Sequence, residues 1–240
     1  MQQGSSILHV DGLNAAYGRA QVLFEVSLSL ERGETVALMG RNGAGKSTTL
    51  KAIMGLLPNE ARKLSFAGHD IRQLPTYRIA RLGLGYVPED RRIFTDLTVF
   101  ENLEVGRRAE RRPGSDAWTP ERLFSIFPNL AEMRGRQASQ MSGGEQQMLS
   151  IARTLMGNPV AILLDEPTEG LAPVIVEEMA AAVARMKREG LAVLLSEQNL
   201  TFATAVADRV YIIAKGVVRH EGPMAALARD TALRETYLGL

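Results

Sequence analysis

The chemistry available to this chain is concentrated in three short segments. In GRNGAGKST, residues 40–48, the glycines Gly40, Gly43 and Gly45 free the backbone to turn its amides inward on an anion. Arg41, Asn42 and Ala44 complete the loop. A helix starting near Lys46 would add its positive N-terminal end, and Lys46 would reach the β- and γ-phosphates of a nucleotide. The Ser47 hydroxyl, next to Thr48, would ligate magnesium. A chance glycine-rich turn is the plain alternative, and a strand before the loop with a helix after it argues against that.

The second segment, VAILLDEP, ends an apolar run in two carboxylates. Ligands of open α/β sheets bind at the carboxyl ends of strands, where Asp165 and Glu166 fall. Asp165 would hold the metal, directly or through water. Glu166 would orient or deprotonate the attacking water. The competing reading makes the pair a helix cap; Pro167, Gly170 and Pro173 weigh against it, because the chain between them must remain a loop.

The third segment, QMSGGEQQM, places Ser142, Gly143 and Gly144 before a helical run and holds no lysine. One pocket needs one cradle. A second donor-rich turn without its own cation makes sense if it closes on a γ-phosphate bound by another subunit. The same residues also read as a helix N-cap, with Glu145 completing a capping box, and both readings can hold at once.

Positioning these groups calls for alternating strands and helices. ILHVDGLNAAY and VLFEVSLSL read as strands, with a turn over residues 31–33 and a buried strand in ETVALMG. A helix is expected from Lys46 to Leu57, stopped by Pro58, and KLSFAGHD and LGLGYVPED give two further short strands. Residues 97–156 read as mostly helical, interrupted by RRPGSD, Pro120 and Pro128. Then come strand VAILLDE, helix 174–188, strand LAVLLSE and helix 200–207, a sequence that argues for a parallel sheet. VYIIAKGVVRHEG reads as a hairpin turning at Lys215 and Gly216, followed by helix to Leu240.

Composition bounds the rest. The chain's 240 residues, 45% hydrophobic and 23% charged, describe an ordinary globular protein, and a net charge of +1 gives no global pull toward nucleic acid or membrane. The absence of cysteine removes disulfides and thiol chemistry. His9, His69 and His220 each stand alone and are expected to be structural or surface residues. The N-terminus shows neither a basic nor an apolar leader region, and no apolar run approaches membrane-spanning length. The arginine-rich GRRAERRPGSD, residues 106–116, is expected to be a solvated face: Glu110 and Asp116 interrupt it and no aromatic platform accompanies it.

GRNGAGKST, MSGGEQQ and AILLDEP, in that order and separation, resemble the ATP-binding cassette (ABC) ATPases over essentially the whole chain. GYVPEDRRIFTDLTVFENL, DEPTEGLAPVIVEE, SEQNL and the ending YLGL are most similar to ATPase subunits of branched-chain amino-acid importers. The resemblance implies an α/β fold of phosphate-loop type: a mostly parallel core sheet, an N-terminal antiparallel β lobe and an inserted helical lobe. A single domain over 1–240 is expected, with residues 1–88 and 157–240 forming the nucleotide-binding core and 89–156 the signature-bearing lobe. It also implies ATP and Mg2+ as cofactors, Tyr17 stacked on adenine, and a signature turn, Ser142 to Glu145, that sandwiches ATP held by an opposing subunit. The expected setting is peripheral, on the cytoplasmic face of the inner membrane. The expected partners are a second, non-identical ATPase subunit, two permease subunits and, indirectly, a solute-binding protein, with no nucleic acid.

Three positions depart from the wider family pattern and agree with that branch. Glu89 replaces the glutamine that links nucleotide to membrane domain, Ala172 replaces the aspartate ending the loop after the catalytic glutamate, and Gln198 replaces a switch histidine. Gln198 can hydrogen-bond a γ-phosphate but carries no charge. An amide or urea importer is the first alternative, and a soluble cassette acting on ribosomes or DNA the more remote one; one cassette and no heptad insertion count against the latter.

Overall fold

The computed structural model describes residues 6–108 and 117–239. The chain opens with β1 (Ser6–Tyr17), β2 (Ala20–Glu31) and β3 (Thr35–Met39), then α1 (Lys46–Ile53). The short strands β4 (Asn59–Glu60), β5 (Lys63–Phe66) and β6 (His69–Asp70) precede α2 (Thr76–Leu82) and β7 (Leu84–Val87). A helical stretch follows: α3 (Val99–Gly106), α4 (Pro120–Ile126), α5 (Pro128–Glu132) and α6 (Gly143–Leu155). The chain then alternates through β8 (Ala161–Asp165), α7 (Pro173–Arg188), β9 (Ala192–Glu197), α8 (Leu200–Val206), β10 (Arg209–Ala214), β11 (Val217–Pro223), α9 (Met224–Arg229) and α10 (Thr231–Tyr237).

Two sheets result. The first is antiparallel, in the order β2-β1-β5-β6 with β4 also paired to β1. The second runs β11-β10-β3-β9-β8-β7; every neighbouring pair is parallel except the β10–β11 hairpin. The period of two along a strand divides the apolar residues of this sheet between its faces. Ala37, Met39, Ile162, Leu164, Val193 and Leu195 enter a core shared with α3 to α8. Their alternates Val36, Leu38, Ala161, Leu163, Ala192 and Leu194 pack with α1 and the first sheet. With both faces covered, β3, β8 and β9 are buried throughout, which explains their continuous apolar sequences.

The structure corrects several boundaries. Helix α1 stops at Ile53, well before Pro58, because Gly55 adopts φ 66° and closes a Schellman motif: Gly55 N–H donates to Ala52 O at 3.0 Å and Leu56 N–H to Lys51 O at 2.9 Å. KLSFAGHD is not one strand. Ala67 (φ 49°) and Gly68 (φ 82°) turn it into the β5–β6 hairpin. The terminal helix breaks at Asp230, whose side chain accepts from Leu233 N–H at 2.9 Å and caps α10. Helix α2 and strand β4 were not expected from the sequence. Residues 109–116, which hold most of the arginine-rich segment, lie outside the described residues.

Candidate active site

The parallel order places β3, β9 and β8 side by side, so the loops at their carboxyl ends open onto one region. The loop after β3 carries the phosphate cradle. Gly43 and Gly45 hold φ of 75° and 111°, and Gly40 lies so close to Ile213 O that a Cβ there would stand 2.3 Å from it. Gly45 is the N-cap of α1 and no side chain caps that end. The first amides of the helix are therefore open to an anion. The β10–β11 turn clamps the loop from outside: Gly216 N–H donates to Ala44 O at 2.9 Å.

Lys46 is 3% exposed. Its ammonium donates to Gly40 O at 2.8 Å and Arg41 O at 3.2 Å, and pairs with Glu166 Oε1 at 3.0 Å. The other Glu166 oxygen accepts from Gln198 Nε2 at 2.7 Å. Glu166 itself sits at φ 45°, a left-handed conformation costing a non-glycine residue about 1 kcal/mol. Its N–H donates to Ser196 O at 3.1 Å and Ser196 Oγ at 3.0 Å, which holds the strained turn. The structure thus brings the phosphate-loop lysine, the carboxylate and the glutamine into one cluster.

Asp165, fully buried, accepts from Ser196 Oγ at 2.8 Å and from Tyr86 OH at 3.0 Å. Burial and the Asp165 charge both push the Tyr86 phenol up, so it stays a donor. Neither Asp165 nor Glu166 caps a helix, since α7 begins after Ala172, which makes no side-chain cap. The Ser47 hydroxyl, in the first turn of α1, makes no hydrogen bond among the described residues. A free hydroxyl at a helix start beside an uncapped amide cradle fits a magnesium nucleotide.

The remaining expected residues separate. Tyr17 ends β1 with 47% of its surface exposed, so it is not core packing. Glu89 is exposed on the loop after β7, where its charge helps to raise the carboxyl of Glu169. Ser142 caps α6 in a full capping box with Glu145, as the helical reading requires. Its neighbour Gly144 is buried against α7: a Cβ there would lie 2.7 Å from Ile175 Cγ2. Gly143 lies beneath the Arg91 guanidinium. A cavity of about 300 Å³ is lined by Gly40, Arg41, Asn42, Gln198 and Leu238, and the signature residues are not among its walls.

Three contributors were missed in the sequence. Ser196 and Tyr86 orient Asp165, and Glu197 bonds the loop after Glu166. Tyr86 lies in GYVPED, and Ser196 and Glu197 in SEQNL, but neither string names a partner; Ser196 stands opposite Asp165 only through the pairing of β8 with β9.

A phosphate cradle at a helix start, a buried lysine, and an acidic pair at the end of a parallel strand one place removed in the same sheet define an ATP-hydrolysing phosphate-loop protein. The family model for the ABC transporter matches residues 23–169. The high-affinity branched-chain amino acid transport ATP-binding protein BraG of Pseudomonas aeruginosa is 39% identical over 97% of this chain and 100% of its own length. The lipopolysaccharide export system ATP-binding protein LptB of Haemophilus influenzae is 34% identical over 98% of each. A solved ATP-binding cassette of an ABC transporter, in its ADP conformation, superposes with a TM-score of 0.80 at 26% identity, covering 98% of this chain and 99% of that one. The chain belongs to the ABC transporter family and is an ATPase that powers transport. Among the described residues no helix is long and apolar enough to cross a membrane.

Proposed function

We propose that this chain hydrolyses ATP to drive import of amino acids, branched-chain ones foremost, as a peripheral subunit at the cytoplasmic face of the membrane. The observation that carries the reading is the full-length likeness to BraG, joined to Glu89, Ala172 and Gln198 at the positions where that branch departs from other cassettes. The likeness to LptB over the same length favours lipopolysaccharide export as the second reading. Co-expression with candidate permease pairs, reconstitution into proteoliposomes and uptake of labelled leucine test the choice. ATP-dependent leucine uptake supports import. A complex that hydrolyses ATP without accumulating any amino acid rejects it, whether or not an amide or urea is taken up instead.

In this reading ATP lies across the cradle of Gly40 to Thr48, with adenine on the exposed Tyr17 ring. Lys46 leaves Glu166 for the β- and γ-phosphates, which frees the Glu166 carboxylate to accept a proton from water. Gln198, already hydrogen-bonded to Glu166, positions that water and the γ-phosphate. Magnesium, held by Ser47 and Asp165, neutralises phosphate charge when bound. The turn from Ser142 to Glu145, which does not line the cavity beside its own phosphate loop, closes on ATP held by a second, non-identical ATPase subunit. The helical stretch of 89–156 moves as the lobe that carries it. A 450 Å³ groove rimmed by the exposed Leu56, Phe94 and Val105 receives an apolar segment of a permease subunit.

A further inference from the structure

Glu197, the last residue of β9, is 2% exposed, and no cation pairs with it among the described residues. Its carboxylate accepts four hydrogen bonds, divided between two loops. Oε1 takes Thr168 N–H at 3.1 Å and Thr168 Oγ1 at 2.6 Å. Oε2 takes Gln198 N–H at 2.9 Å and Asn199 N–H at 3.0 Å. One oxygen therefore serves the loop that follows Glu166, and the other serves the loop that carries Gln198.

Capping of α8 does not explain this arrangement, because Asn199 Oδ1 already accepts from Phe202 N–H at 3.0 Å. Burial outweighs the hydrogen bonds from Thr168, Asn199 and Gln198 and leaves the Glu197 carboxyl raised above its usual value. All four contacts are donors, so the geometry suits the ionised form. An unpaired buried charge is an expensive way to fill space, and its retention calls for a task that an apolar residue could not perform.

We propose that Glu197 is a positioning residue: its carboxylate is the strut that sets Gln198 and the Thr168 loop at a fixed separation on either side of Glu166. Displacement of Gln198 by a γ-phosphate is then passed to the loop after Glu166 through a joint of two hydrogen bonds at each end. This rests on the reading of Glu166 and Gln198 as the hydrolytic pair.

The test uses the assembled ATPase complex, with steady-state phosphate release to give kcat and KM for ATP, and the melting temperature. Glu197→Gln cannot offer four acceptors, and an amide N–H must point at a backbone N–H. It is expected to lower kcat about tenfold while KM stays within about twofold. Thr168→Val removes one donor and should lower kcat in the same sense; Thr168→Ser keeps the hydroxyl and should restore what Thr168→Val loses. The double variant Glu197→Gln/Thr168→Val should be no slower than the worse single variant, since both break one joint. Thr168→Val at the full rate overturns the proposal, as does a loss of activity that tracks KM and melting temperature. If Glu197→Gln does not fold, the two Thr168 variants decide alone. Glu166→Gln, assayed alongside, separates the two layers: normal hydrolysis there removes the underlying site reading, whatever Glu197 does.

Discussion

Lys46 and Glu166 form a buried ion pair, Nζ to Oε1 at 3.0 Å. Each neutralises the other in a site closed to water. Removing one member leaves the other charged and buried, at a cost of about 3–5 kcal/mol. Lys46→Ala is therefore expected to lower stability as well as ATP affinity, and Lys46→Ala/Glu166→Gln should recover much of the lost stability without recovering binding. Denaturant unfolding and nucleotide titration measure the two effects. Equal stability of Lys46→Ala and the parent protein would show that the pair contributes nothing.

Glu166→Gln should retain ATP and stall hydrolysis. The amide remains within reach of Lys46 and Gln198 but is a far poorer base, and general-base contributions are about 10²–10⁴-fold. A persistent ATP-bound dimer, followed by light scattering, is the expected product. Hydrolysis at the normal rate would remove Glu166 from the mechanism.

Gly144→Asp is a poor probe of the sandwich, because the new side chain would strike Ile175 within its own subunit. Ser142 is exposed and gives a cleaner test. Ser142→Asp preserves the cap of α6, since aspartate is as good an N-cap as serine, yet sets a carboxylate where the partner's γ-phosphate would come. The melting temperature should hold while ATP-driven dimerisation weakens. Unimpaired dimerisation would leave Ser142 as a helix cap alone.

How much of this could be read from the letters follows from the range of the interactions. Glycine spacing, Lys46 and the DE pair are local signals, because a cradle and a strand end are built from consecutive residues. The alternating strands were legible for the same reason. The Schellman stop at Gly55 was missed because Leu56 and Leu57 carry the apolar run past it, and the hairpin at Ala67 and Gly68 because its second strand, His69–Asp70, is too short to show a period of its own. The bonds of Ser196 and Tyr86 to Asp165, and of Glu197 to Thr168, join residues far apart in sequence. They depend on strand order, which no local pattern specifies.

Glu169 offers a pH test. Partial desolvation of its carboxyl, then the charges of Glu166 and Glu89, raise it above the usual value. An acid whose folded-state value is raised binds protons more readily folded than unfolded, so it costs stability at pH above that raised value. The cost disappears as pH falls through it toward the unfolded range. Glu169→Gln should accordingly raise the melting temperature near pH 8, and the gain should fade toward pH 4 and shrink with added salt, because the side chain is exposed. A gain independent of pH would mean that charge is not its source.

Gln198 bears on the identity of the second ATPase subunit. Its amide donates to Glu166 at 2.7 Å, which would place it to orient water between that carboxylate and a γ-phosphate. Being neutral, it adds no positive charge as the transition state develops, and a site relying on it should be slower than one with histidine there. The effect is bounded, because Lys46 already supplies a cation. Beside a partner that keeps the histidine, the two ATP sites should turn over at different rates. Two mixed complexes measure this by single-turnover hydrolysis, one with Glu166→Gln in this chain and the other with the equivalent change in the partner. Residual activity should be greater when this chain carries the change and the partner's site remains intact. Equal residual rates would contradict the asymmetry, and a Gln198→His variant with an unaltered rate at this site would show that the missing histidine is not its cause.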